Sequence, residues 1–165
     1  MTYVGIDVSK ATFVVAYSSA KTGRTKTFKN PTKGVHEFIQ TLSASEHHCV
    51  LEATGNYSSL LVYLLSQVGI TVSLENPLKI KNFARVMLSV TKTDETDARL
   101  IALYGEKMQP APYRLRSDAI LTLKQKRTVI RQLKKQLIAT RNLKGSMEAL
   151  PFFDPKCKKA IEKTI

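Results

Sequence analysis

A mixed α/β fold with a five-stranded sheet and flanking helices, followed by a helical coiled-coil-like segment, is what this sequence predicts. Three observations carry the prediction. Short runs rich in Val, Ile, Thr and Phe stand between stretches of helical apolar period. Three such strand-like runs precede the first helix, after which strands and helices alternate. Past residue 108 the chain changes to one long, strongly basic helical pattern.

The elements follow in order. "TYVGID" and "ATFVVAYSS" read as strands on either side of the turn "VSK". Gly23 in "KTGRT" marks a hairpin turn, and "TKTFKN" returns as a third strand. In "PTKGVHEFIQTLSA", Pro31 and Thr32 open a helix with Val35, Phe38, Ile39 and Leu42 on one face. "HHCVLEA" is a fourth strand, "GNYSSLLVYLLSQVG" a helix closed by Gly69, and "ITVSLENP" a fifth strand ended by Pro77. A mixed sheet with helical crossovers in this order fits a ribonuclease-H-like arrangement. The expected organisation is a domain over 1–108, a proline-marked linker over 109–116, and a basic helical segment over 117–165. Its main helix is expected from about Ser117 to Lys144. Leu123, Ile130 and Leu137 are spaced seven apart there, with Ile120 and Leu133 beside them.

Bulk composition narrows the function. The 165 residues are 43% hydrophobic and 24% charged, which is globular rather than disordered. A formal net charge of +13 points to a polyanionic partner. The two cysteines, Cys49 and Cys157, are far apart and form no pair motif, so no disulfide framework is expected and a reducing cytoplasm fits. "MTYVGIDVSK" enters a strand directly, with no secretory leader expected. The longest apolar run, "LLVYLLSQVGITVSL", is broken by Ser66, Gln67 and Gly69, too short and polar for a membrane span.

The acids carry the chemistry. Asp7 ends the first strand and Glu52 the fourth. In the expected sheet those strands are neighbours, so both carboxylates emerge at one edge, where strand-end sites form. Asp94 and Asp97 share one helical face in "KTDETDARLIA". Magnesium takes hard oxygen ligands and keeps room for water and phosphate. Two such ions hold both the attacking and the leaving oxygen of a phosphodiester. The plain alternative is that Asp94 or Thr93 caps the helix, with Asp97 favoured by the helix dipole. The residues alone leave both readings open.

"VGIDVSK", "LEATGNY", "NPLKIKNFAR" and "KTDETDARLIA", in this order and spacing, resemble the DEDD-type insertion-sequence transposases. That family is related to the Piv site-specific DNA invertase and takes in bridge-RNA-guided recombinases. The resemblance covers residues 3 to 104 most closely. It implies a RuvC-like fold and a metal-binding catalytic tetrad of Asp7, Glu52, Asp94 and Asp97, with Mg²⁺ (or Mn²⁺) as cofactor. DNA and a guide RNA are the implied partners, with the basic region serving RNA binding and dimerisation or a higher homo-oligomer. It also implies a further domain bearing a serine nucleophile. No such domain lies in these residues, so complete strand exchange is not expected of them alone.

Other residues have competing readings. Gly55 and Asn56 make a tight turn, or bring helix N–H groups toward a phosphate. Tyr57 is expected to pack on the sheet rather than stack on a base. Lys10 is read as a solvated lysine. Glu75 ends a strand but is left out of the ligand set, His47 and His48 enter a strand, Cys49 belongs to the core, and His36 has no visible partner. Lys92 and Arg99 either pair with the acids or contact the scissile strand. Lys124, Lys126, Arg127, Arg131, Lys134, Lys135, Arg141 and Lys144 have no acid among them to relieve their repulsion, which favours nucleic-acid contact over a solvated face. The functional expectation is a domain of a DNA transposase or recombinase. The alternatives are a stand-alone Mg²⁺-dependent nuclease acting on branched DNA and a non-catalytic nucleic-acid-binding dimerisation module. A third, an actin-like sugar kinase or ATPase, lacks the glycine such a loop needs after Asp7.

Overall fold

The computed structural model describes residues 1–88 and 93–165. It divides into two units, Met1–Leu115 and Arg116–Ile165.

The first unit is built on a five-stranded sheet. Its strands are β1 (Thr2–Val8), β2 (Thr12–Ala16), β3 (Thr25–Lys29), β4 (His47–Glu52) and β5 (Thr71–Glu75), in the spatial order β3-β2-β1-β4-β5. Strands β1 to β3 pair antiparallel, and β1, β4 and β5 pair parallel. The helices of this unit are α1 (Thr32–Ile39), α2 (Ser59–Gln67), α3 (Pro77–Val86) and α4 (Asp94–Met108). This is the mixed sheet with flanking helices that the sequence predicts, and it is consistent with a ribonuclease-H-like fold.

Alternation along the strands divides the core into two layers. Val4, Ile6, Phe13, Val15, Phe28, Cys49, Leu51 and Val72 face α1 and α2, where Val35, Phe38, Leu61 and Leu65 are fully buried. The opposite faces of the same strands meet α4 and α3. Val14 and Ala16 pack on Ala98 and Ala102, and Val50 packs with Ile80, Ile101 and Tyr104.

Helix α4 lies unusually close to β1. A Cβ on Gly5 would collide with the backbone of Ala98 and Ala102, and one on Gly105 would meet Tyr3 and Val50. Only a side-chain-free backbone permits that approach. The contact fixes the first turn of α4 beside the C-terminal end of β1.

Residues 110–115, within the stretch read above as a linker, run against β5. The Tyr113 amide donates to the Val72 carbonyl at 2.7 Å. The buried Ser73 hydroxyl reaches the carbonyls of Pro110 and Ala111 at 3.0 and 2.8 Å. Tyr113 and Leu115 pack on the core. Ser73 has one proton, spent on these carbonyls, so the His48 Nε2, 2.8 Å away, donates to its oxygen. His48 is thus a buried structural residue in tilted ring contact with Tyr3.

The second unit holds α5 (Asp118–Glu148) and α6 (Pro155–Glu162). Neither helix buries a residue. Leu123, Ile130 and Leu133 are exposed, and Leu137 is half-buried. A shallow groove of ≈ 380 Å³ along this face is lined by Ile130, Leu133, Leu137, Thr140 and Ile165.

Candidate functional site

Parallel pairing of β1 and β4 sets Ile6 against Leu51. The residues that follow, Asp7 and Glu52, therefore leave the ladder side by side, on the face covered by α4. The glycine-mediated approach at Gly5 then brings Asp94 and Asp97 over them.

The first turn of α4 answers the capping question. Thr93 is the N-cap: its hydroxyl accepts from the Thr96 amide at 3.1 Å, and the Thr96 hydroxyl accepts from the Thr93 amide at 2.9 Å. This reciprocal box is complete without Asp94 or Asp97. Both acids gain from the positive end of the helix dipole, and neither is needed to start the helix.

The site's electrostatics centre on Asp7. Its pKa is raised to about 6, first by burial, then by the negative charges of Asp97, Asp94 and Glu52 in that order. Asp7 thus senses each of the other three carboxylates. The positively charged chain has gathered like charges at one point and left Asp7 half-buried among them. Beside the acids lies an open depression of ≈ 580 Å³ lined by Val14, Thr27, Thr93, Asp94 and Glu95. Among the described residues, no group of three or more Asp, Glu, His or Cys side chains is drawn together closely enough to hold a metal ion by itself.

The neighbouring residues fall into clear roles. Glu75 is buried and bound to Lys79 at 2.9 Å, which accounts for its charge away from the acids. Arg99 reaches Glu95 at 3.9 Å and donates to the Gly23 carbonyl at 3.2 Å. It therefore ties α4 to the β2–β3 hairpin, and its buried Nε has no hydrogen-bond partner among the described residues. Lys92 lies outside the described residues. Ser43 donates its amide to His47 Nδ1, and Cys49 is fully buried with its thiol pKa pushed well up by desolvation.

One expectation is corrected. Tyr57 does not pack on the sheet: it is 48% exposed, and its ring stacks on no other aromatic ring among the described residues. Its backbone is what the fold holds. The turn at Gly55, with φ +66°, carries the chain out of β4 and turns the tyrosine outward.

On α5, Lys124, Lys126, Arg127, Arg131, Lys134, Lys135 and Arg141 are all exposed. Lys144 differs, pairing with Glu162 at 2.9 Å and Glu148 at 3.8 Å, and the Glu162 contact raises its pKa. No helix of the described residues is long and apolar enough to cross a membrane.

Comparison with known proteins matches residues 4–148 to a family model of IS110-type DEDD proteins, described as a transposase. The pilin gene-inverting protein of Moraxella bovis is 35% identical over 122 residues, covering 71% of this chain and 38% of the relative. That of Moraxella lacunata matches with the same identity and coverage. The chain thus spans well under half the length of these curated relatives.

Proposed function

Because the chain belongs to the DEDD transposase family, we propose that Met1–Leu115 is the metal-dependent catalytic unit of an enzyme that cuts and exchanges DNA strands. The observation that carries the proposal is the convergence of Asp97, Asp94 and Glu52 on Asp7, from two strand ends and one helix start. A fold gains nothing from such repulsion. Groups held in an unfavourable electrostatic arrangement are a mark of function.

The donor set fits Mg²⁺ or Mn²⁺. All four groups are hard oxygen ligands, and magnesium is held through one or two carboxylates with water and substrate phosphate completing the shell. A cage closed by protein alone is therefore not required. Asp7, Glu52, Asp94 and Asp97 would hold the ion, which when bound would stabilise charge on the reacting phosphodiester and raise the nucleophilicity of an attacking oxygen. The chain's own contribution is placement. The rigid Gly5–Ala98 contact sets the distance between the two strand-end acids and the helix acids. The Thr93–Thr96 box orients the latter toward the sheet. Thr27, lining the depression, offers a hydroxyl donor to phosphate oxygens.

The pilin gene-inverting relatives support inversion or transposition of DNA as the activity of the whole protein. The family resemblance supports a guide RNA as the selector of the DNA, a serine nucleophile in a further domain, and action in the cytoplasm. The second unit would contact nucleic acid through Arg127, Arg131, Lys134 and their neighbours and associate with a second copy through Ile130 and Leu137.

Manganese binding, followed by paramagnetic resonance, tests the site. Asp7→Asn and Asp97→Asn should each weaken binding at least about tenfold, by removing a charged ligand from a small set. Equal binding by parent and both variants would place the ion elsewhere and sink the tetrad. In a separate assay with guide RNA and donor DNA, these residues alone should give no strand exchange. Efficient exchange would exclude the need for a serine domain.

A further inference from the structure

We propose that the rim formed by the loops after β1, β3 and β4 grips an unpaired stretch of the DNA strand entering the acid site, with Tyr57 stacking on a base and Lys10, Lys29 and Lys33 holding backbone phosphates. This deepens, and rests on, the reading of the first unit as a DNA strand-processing domain.

The rim is built around Asn30. Its side-chain amide donates to the Ser9 carbonyl at 2.8 Å and to the Tyr57 carbonyl at 3.2 Å, and its backbone amide donates to the Ala11 carbonyl at 2.9 Å. One residue thereby joins three loops at the sheet end where Asp7 and Glu52 emerge. Asn30 is 7% exposed, and its Oδ1 has no hydrogen-bond partner among the described residues. These three hydrogen bonds, made by a buried side chain and its amide, hold the three loops in one relative position.

That position exposes complementary chemistry. Lys10 sits between the two clipped residues Ser9 and Ala11, and Lys29 precedes Asn30. Lys33 lies in the first turn of α1, whose Gly34 is pressed against the Lys29 backbone. All three lysines are exposed, and among the described residues none forms an ion pair. Tyr57 presents an outward ring with no stacking partner among the described residues, and open space lies beside Gly55 where a side chain would otherwise stand. Cations that track a backbone, around one free aromatic face, fit a single strand better than a duplex, whose bases are already stacked.

Photocrosslinking of the full 165-residue chain to single-stranded DNA carrying 5-iodouracil tests the rim, with adducts mapped by mass spectrometry. An RNA strand of the same sequence runs alongside. The expected result is an adduct at Tyr57, reduced about tenfold by Tyr57→Ala and kept by Tyr57→Phe, as stacking requires. Replacing Lys10, Lys29 and Lys33 with glutamine should lower the log–log salt slope of that adduct's yield by about 0.7 per lysine. Adducts elsewhere in residues 1–115 but not at Tyr57 would overturn the rim and leave the DNA-processing reading standing. Adducts confined to residues 116–165 would overturn both. An adduct at Tyr57 with RNA and not with DNA would overturn the assignment to DNA.

Discussion

The two units of this protein spend their charge in opposite ways. Met1–Leu115 holds thirteen basic and nine acidic residues, and it concentrates four of its acids at one end of its sheet. Arg116–Ile165 holds thirteen basic and four acidic residues in fewer than half as many positions, and spreads them along helices that bury nothing. The first unit has a core able to hold like charges together against their repulsion. The second has no core and can only hold them apart. Local negative charge in a basic chain is therefore something the fold imposes, whereas the diffuse positive charge is something composition supplies.

Breaking the scaffold of the first unit should have the largest effect. Gly5→Ala drives a methyl into the backbone of α4, and overpacking against backbone costs about 3 kcal/mol or more. Calorimetry should show the cooperative transition of the first unit lowered or lost, while the helical signal of α5 remains. An unchanged transition would mean that the close approach of α4 to β1 is not what holds the acids in place.

Removing charge from the second unit should alter binding without altering folding. With Arg127, Arg131, Lys134 and Lys135 replaced by glutamine, helix propensity is kept. RNA binding should weaken, and its log–log salt slope should fall by about 0.7 per lost contact. The melting temperature should stay near that of the parent. Binding equal to the parent at every salt concentration would reduce α5 to a solvated arm. The apolar side of the helix has its own test. Ile130→Asp with Leu137→Asp places charge where a partner helix would bury it, so sedimentation should shift toward monomer.

Much of this contrast was legible in the sequence, for a physical reason. Strand ends, turns and helical faces are written in local periodicity, so "VGID", "HHCVLE" and the basic helix could be read directly. Asp7 and Glu52 could be placed at one edge because parallel neighbours bring their C-terminal ends together. Tertiary choices were less visible. Thr and Asp are both good caps, and only the structure shows Thr93 and Thr96 closing the box without the acids. Pro110 and Pro112 read as a linker because proline breaks periodic structure, yet an extended segment with free carbonyls is also what Ser73 can hold against β5. The outward turn of Tyr57 depends on a positive φ at Gly55 and on a clip from Asn30, twenty-seven residues away. No window of local sequence contains both.

The smallest effect tests the central claim most directly, because its sign must reverse. Burial and the neighbouring acids raise the Asp7 pKa from 3.8 to about 6. A carboxyl raised in the folded state favours folding below pH 4, and that contribution is lost as pH rises through about 6. At pH 7 without metal, Asp7→Asn should therefore stabilise the fold, by on the order of 1 kcal/mol, since solvent reaches this half-buried group and screens the repulsion. Below pH 4 the difference should vanish. With Mn²⁺ at about one hundred times its dissociation constant, the parent should gain about 2.7 kcal/mol and overtake the variant. The measurement is the melting temperature of both proteins at pH 7, with and without the ion. The variant should melt above the parent without metal and below it with metal. A variant less stable than the parent under both conditions would make Asp7 an ordinary structural carboxylate, and the four acids would not be a site.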